Sequence, residues 1–487
     1  MDGDRDRDRA AAAVLPARTV RPAPLPLPVP PRRATRGARP DPYLLAAAFF
    51  ALYTALSVTR YRRMLTMSWD LGIFEQAVRG YAHLHAPVAD LKGPGFNVLG
   101  DHFSPITALI APFYRIFPGP VTLLVAQAVL FAVSVIPVTR AAAGSLGRAR
   151  GLAIGVAYGL SWGVQRAVDF DFHEIAFAMP LLAFCLEAVL RRRWTAALWW
   201  AVPLVLVKED LGASVACVGA VVWLRARGDE RAPERTGAYA AGLAAFGVAA
   251  SAWEIRWIIP AFHGPGYDAL GHINGDGSLT GHIPADTAIR TLLWVLLPTS
   301  GLLALRSPLL LVALPTIGWR FVSHYPENWG TLWHYSAVLM PVAFLAGVDA
   351  AARSRTGRRR WLRAYASRLP AALAGAALAL TVSLPLASLS HAGTYRVDAG
   401  TRAAERLLDR IPDGATVEAN VGPISRLARR TTVYWVGGAQ DVNPDYLALE
   451  NRSGWLRDPV GYARQLHPGA DFALLGNSGG YVVLRRE

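Results

Sequence analysis

The stretch Pro203-Leu204-Val205-Leu206-Val207-Lys208-Glu209-Asp210-Leu211-Gly212-Ala213-Ser214-Val215 places three charged residues between two apolar runs. A charged side chain in hydrocarbon costs roughly 2.5–3.5 kcal/mol on insertion scales, so such a trio turns towards water or faces a wet cavity. It reads as the tip between two membrane-crossing segments, near 195–207 and 211–224. On that reading Lys208, Glu209 and Asp210 are candidate substrate-binding residues. The plainer alternative is a hairpin whose charges simply reach the headgroups.

The same alternation runs outward in both directions. Further apolar segments lie at Tyr43–Thr59 and near 119–138, 150–167, 175–190, 238–260, 289–305, 308–322, 335–350 and 370–388, which makes eleven spans. The shortest are at the lower end of the roughly 17–25 residues a spanning helix needs. Phe103–Phe117 is apolar but interrupted by Pro105 and Pro112, so it reads as re-entrant or interfacial. Composition agrees. Of 487 residues 53% are hydrophobic and 17% charged, against about 25% charged in soluble domains. The formal charge of +15 does not indicate a nucleic-acid partner, because the basic residues sit in short clusters between apolar runs. Cys185 and Cys217 fall within apolar stretches and read as small buried hydrophobes.

Arginine sets the orientation. Arg140, Arg148 and Arg150, then Arg191 to Arg193, then Arg225 to Arg235, and finally Arg353 to Arg363 occupy alternate loops. They share a side with the disordered, basic tail 1–42, which makes that side cytoplasmic. The transmembrane domain is then 43–390, and residues 391–487 lie outside. The outer side also receives a long first loop, 60–102, with Trp69-Asp70-Leu71-Gly72 and Gly100-Asp101-His102-Phe103. Asp169-Phe170-Asp171-Phe172-His173-Glu174, the His272-to-His282 loop and the segment from His324 to His334 follow on that side. The polar chemistry is one-sided.

Apolar residues at 71, 73, 74, 77, 78 and 81 suggest an amphipathic helix over 70–81, lying on the membrane surface. Asp70 at its start either caps it or serves as a general base. Asp101 and His102 either belong to an ordinary solvated loop or add a second acidic group near Asp70. With Asp70 they are candidate ligands for a divalent cation, Mg or Mn. His173 and Glu174, in a short outer link, are candidate substrate-binding residues, His173 also a proton carrier. Of the 50 basic side chains only Lys92 and Lys208 are lysine. Both are expected outside, where an ammonium binds phosphate as a point charge. Residues 395–487 change character: a helix over 398–410, strands at 416–419, 432–436 and 445–450, helices at 422–429 and 459–466, and a final hairpin through Gly479 and Gly480. That alternation indicates a small α/β domain. The fold expected is a mainly α, polytopic membrane helix bundle with a C-terminal extracytoplasmic α/β domain.

Trp69-Asp70-Leu71-Gly72-Ile73-Phe74-Glu75-Gln76, Gly100-Asp101-His102-Phe103-Ser104-Pro105 and Asp171-Phe172-His173-Glu174, in this order, resemble the bacterial and archaeal membrane-protein family called "domain of unknown function 2079". The resemblance spans about 45–485. The architecture it implies is similar to that of GT-C glycosyltransferases: many spans, an acid on a long first outer loop, and a C-terminal outer domain. In such enzymes that acid acts as base on the acceptor, and the donor sugar hangs from a polyprenyl phosphate or diphosphate. By position Asp70 matches the acid, with Glu75 in reserve. The acidic pair of protein mannosyltransferases and the tail motif of oligosaccharyltransferases are missing. The resemblance thus implies a sugar transferred from a polyprenyl-phosphate donor to an envelope acceptor, with Lys208 holding the donor phosphate and Arg62 or Arg63 nearby. Two other classes compete: a transporter or lipid flippase without covalent chemistry, and a non-catalytic assembly protein. Transporters tend to place ionisable groups near the midplane and to show internal repeats; here the acids sit at one face.

Overall fold

The computed structural model describes residues 39–264 and 283–487. Most of the basic tail and the His272-to-His282 loop lie outside the described residues. The chain is mainly helical, with one small sheet near its C-terminus. Helices α1 (Asp41–Arg62), α2 (Trp69–Ala82) and α3 (Ala111–Ile116) precede the long α4 (Pro120–Leu146). Then come α5 (Arg148–Gly159), α6 (Trp162–Asp169), α7 (Ala178–Leu190), α8 (Trp194–Ala201), α9 (Leu211–Ala226), α10 (Thr236–Trp253) and α11 (Ile259–His263). The bundle is completed by α12 (Ala285–Ser300), α13 (Leu314–Val322), α14 (Leu339–Arg355) and α15 (Arg360–Thr381).

Among the described residues three helices are long and apolar enough to cross a membrane: Asp41–Arg62, Pro120–Leu146 and Thr236–His263. Three shorter apolar helices follow the same reading, Trp194–Leu206, Leu211–Ala226 and Pro308–Val322. The segment expected at 150–167 is broken at Leu160 and Ser161, which separates α5 from α6. Helix α14 is the hub. Its sequence is apolar around nearly the whole circumference, as a fully enclosed helix requires. It packs on α4, α7, α12 and α15, with Leu339 to Ala351 all buried.

The two ends of the bundle differ. At one end Arg140 and Arg191 both hold Glu187, Arg192 holds Asp229, Arg225 and Arg353 hold Asp349, and Arg148 holds Asp41. Arg355 donates to the Leu146 carbonyl, tying α14 to α4. The clustered arginines read from sequence thus meet in space. The opposite end carries the 60–102 loop and the C-terminal domain.

That domain contains α16 (Ala399–Leu408), β1 (Thr416–Ala419), α17 (Val421–Leu427), β2 (Thr432–Trp435), β3 (Tyr446–Glu450), α18 (Pro459–Leu466), β4 (Phe472–Ser478) and β5 (Tyr481–Arg486). The sheet order is β2-β1-β3-β5-β4. The first three strands are parallel, Val417 pairing with both Val433 and Tyr446, and the last two form an antiparallel hairpin. Strand alternation sends Leu447 and Leu449 to the α18 side and Ala448 to the other.

Helix α2 falls where its periodicity predicts, but it does not lie on a surface. Leu71 to Val78 are all buried, because the C-terminal domain covers the face that a membrane interface was expected to cover. Ile73, Ala77, Leu91 and Val98 join Leu407, Ile424, Leu427 and Val433 in one apolar cluster. Gly72 permits the close approach: a Cβ there would stand 2.3 Å from Ile424 Cγ2 and 2.7 Å from Leu91 Cδ1.

Candidate active site

At the domain-bearing end of the bundle a cavity of about 520 Å³ opens beneath α2. Six separate pieces of chain wall it: the start of α2 (Trp69, Asp70, Ile73, Phe74), the following loop (Lys92, Asp101, His102), His173, the tip Lys208–Asp210, Ile255 between α10 and α11, and a wall from Trp319 to Tyr335. Asp70, Asp101, His102, His173, Lys208, Glu209 and Asp210 therefore converge. So do the chain's only two lysines.

The start of α2 is held from beneath. Asp171 accepts the backbone N–H groups of Met67 (2.7 Å) and Ser68 (3.3 Å). Its own turn is fixed by Gln127, which donates to the carbonyls of Ala167 (3.2 Å) and Asp171 (2.5 Å) and accepts the His173 N–H (3.1 Å). Ser68 and Asp171 have φ of +60° and +79°. Left-handed backbone at such side chains costs of order 1–3 kcal/mol per residue and persists where the surroundings over-determine it. Asp70 does not cap its helix: no side chain caps α2. Among the described residues its carboxylate has no hydrogen-bond or ion-pair partner in the protein, and it lines the cavity. Burial pushes its pKa up; His173 works against this, Glu174 adds to it, and Lys92 and Lys208 oppose it.

The other acids around the cavity, Asp210 apart, are engaged. Asp101 pairs with Lys92. Glu209 accepts His102 Nδ1 at 2.8 Å and the Phe103 N–H at 3.1 Å, tying the first loop to the 208–210 tip. Burial and Lys208 press the His102 pKa down, but Glu209 and Asp101 outweigh them and leave it raised. Glu174 is fully buried, with His173 Nδ1 2.6 Å from one oxygen and Lys208 Nζ 3.6 Å from the other. The histidine contact has ion-pair distance without hydrogen-bond alignment. Burial alone would raise the Glu174 pKa, yet His173 and Lys208 bring it down to about 2. Lys208 is the mirror case: burial opposes its charge, while Glu174, Glu209 and Asp210 raise its pKa. Asp210 is pushed up to about 6 by burial and has one buried oxygen without a partner.

The wall from 319 to 335 carries residues whose roles the sequence did not reveal. His334 stacks on His173, ring centroids 3.6 Å apart, and burial drives its pKa well down. Arg320 is fully buried and donates to the carbonyls of Asn328 and Gly330 and to Ser336, with no carboxylate partner among the described residues. His334 reaches the cavity by tertiary folding alone, and Arg320 stands behind it, holding the wall together; only the aromatic and histidine density of 324–334 hinted at this.

Three expected residues lie elsewhere. Glu75, on the far side of α2, accepts the Tyr114 hydroxyl at 3.0 Å and does not line the cavity. Arg62 offers its carbonyl to Arg426, and Arg63 lines a separate cleft with Asp398 and Arg452. As a metal centre the arrangement fits poorly. Of Asp70, Asp101 and His102, the second is bound to Lys92 and the third to Glu209. No group of three or more His, Cys, Asp or Glu among the described residues is disposed to hold a metal ion.

The fold is similar to two crystal structures of ArnT from Cupriavidus metallidurans. The one bound to undecaprenyl phosphate has a TM-score of 0.54 and 14% identity, over 92% of this chain and 98% of that one. The apo structure has a TM-score of 0.50 and 13% identity, over 90% and 98%. At that identity the likeness concerns the fold alone. No curated protein sequence matches the chain. The family model described as "Predicted membrane protein (DUF2079)" matches residues 60–467, which include every wall of the cavity. The chain belongs to the DUF2079 family of predicted membrane proteins.

Proposed function

We propose that this protein is a membrane glycosyltransferase that moves a sugar from a polyprenyl-phosphate donor to an envelope acceptor, with inversion at the anomeric carbon. The observation that carries the reading is Asp70: an unpartnered carboxylate with a raised pKa, sharing one cavity with the only two lysines. In the proposed step Asp70 takes the proton of an acceptor hydroxyl as its oxygen bonds to the anomeric carbon. The bond from that carbon to the phosphate oxygen breaks, and its electron pair leaves with the polyprenyl phosphate. Lys208 and Lys92 face the charge that grows on this leaving group, where a positive charge in a water-poor cavity is worth most. A pKa raised towards neutrality makes Asp70 a stronger base than an ordinary aspartate. No step is routed through a metal ion, since Lys92 would first have to leave Asp101.

The topology proposed with this activity has eleven spans, a cytoplasmic N-terminus, and the cavity and α/β domain outside. The ArnT likeness supports a polyprenyl-linked donor, because one of those structures holds undecaprenyl phosphate. The test is transfer of labelled sugar from a polyprenyl-phosphate donor by the purified, reconstituted protein. Asp70→Asn is expected to lower turnover by about 10²–10⁴-fold, the range for general-base removal, while expression stays normal. Unchanged turnover in this variant would remove Asp70 from the mechanism. Movement of an unconverted lipid across vesicles would favour a flippase instead.

A further inference from the structure

A second cavity is larger than the one at Asp70. It measures about 1240 Å³ and lies against α3, the outer half of α4 and the C-terminal domain. One wall is apolar and bare: Leu109, Phe113, Ile116 and Phe117 are each more than 60% exposed. Val121, Val125 and Val129 continue this wall along one face of α4 at helical spacing. Eight residues of helix correspond to about 12 Å along the span, so the cleft runs down into the hydrocarbon layer.

Its outer end is built differently. Arg426, Arg429 and Arg430 of the C-terminal domain stand there, with Glu405 and Asp409. Arg426 is held by Glu405 (2.7 Å) and the Tyr61 carbonyl (2.9 Å), and Arg430 by Asp413 (3.1 Å) and the Leu408 carbonyl (2.8 Å). Arg429 is different. It is exposed, rests its Cδ beside Gly119 just before α4 begins, and has no ion-pair partner among the described residues. The positive end of the α4 dipole points to the same place.

We propose that this cleft holds an anionic, phosphate-bearing membrane lipid, its chains along Val121, Val125 and Val129 and its phosphate at Arg429. A long apolar trough rising to a spare guanidinium matches that amphiphile in both parts, and the site is independent of the reading of Asp70.

The test uses the full-length protein in vesicles with a photoactivatable phosphatidylglycerol analogue, mapping adducts by peptide mass spectrometry. Adducts are expected to concentrate on 109–130, and to be displaced by unlabelled phosphatidylglycerol far better than by phosphatidylcholine. In Arg429→Ala the preference for the anionic lipid is expected to fall about five-fold, the weight of one basic side chain near a membrane surface. Adducts spread evenly over the lipid-facing helices of the wild-type protein, or equal displacement by both lipids, would overturn the proposal. So would a preference that survives in a folded Arg429→Ala protein.

Discussion

Asp70 lines the cavity, and Asp171 fixes the turn that presents it; in the proposed reaction the first faces substrate and the second does not. The acid limb of a transfer-rate profile tests the first role. A base must be ionised, so activity should fall as pH drops through the Asp70 pKa, and that limb should sit above the ordinary aspartate value near 4. Asp171 touches no substrate in this scheme. Asp171→Ala frees the N–H groups of Met67 and Ser68, and a displacement of about 1 Å at the reacting group can cost 10²-fold. The loss is expected in kcat with KM little changed, and Asp171→Asn, which keeps an acceptor oxygen, should recover most of it. Equal losses in both variants would count against positioning. Of these residues the sequence marked the 208–210 trio, because charge beside apolar runs is costly enough to need a reason, and Asp70, Asp101, His102 and His173, because polar groups gather in the loops of one side. Asp171 was visible only as one acid in a run, since accepting backbone N–H groups across 103 positions leaves no local trace.

At the level of elements, α2 explains both what the periodicity revealed and what it concealed. Its apolar spacing located the helix to within a residue, yet spacing cannot say whether lipid or protein covers a face. Here protein covers it on both sides, and Glu75 is trapped inside. Burial holds that carboxyl protonated, with a pKa pushed up to about 8, against about 4.3 in an unfolded chain. Between those values the folded state binds the extra proton, so stability falls as pH rises and the contribution is lost above pH 8. Glu75→Gln keeps an acceptor for Tyr114 and removes the penalty. Its melting temperature should match wild type near pH 4 and exceed it by several degrees at pH 8, with transfer activity retained. A pH-independent difference between the two proteins would mean that Glu75 is already ionised. The strands and helices of the C-terminal domain were legible to within a residue or two, because short amphipathic elements between turn residues carry their own boundaries.

For the whole molecule, the separation of arginine-bonded end from cavity end is the feature that topology depends on. In a background with Cys185→Ala and Cys217→Ala, a cysteine at Ser453 should react with a membrane-impermeant maleimide in intact cells. One at Thr356 should react only after the membrane is opened. The reverse pattern would invert the proposed orientation. Alternating arginine loops made the two ends legible, whereas the broken helices 148–169 and 308–322 were not, because hydropathy averages over a break. The pairing of two lysines in a chain of arginines has a further, practical consequence. Guanidinium groups ignore amine-directed acylating and imidoester reagents, so the interior of this cavity is the protein's main amine address. Lys208 is shielded by its protonation and by Glu174; Lys92 is the more exposed of the two. A small amine reagent should therefore modify Lys92 first, and a phosphate lipid seated in the cavity should protect it. Occupancy could then be followed by one mass shift, without knowing which sugar the protein handles.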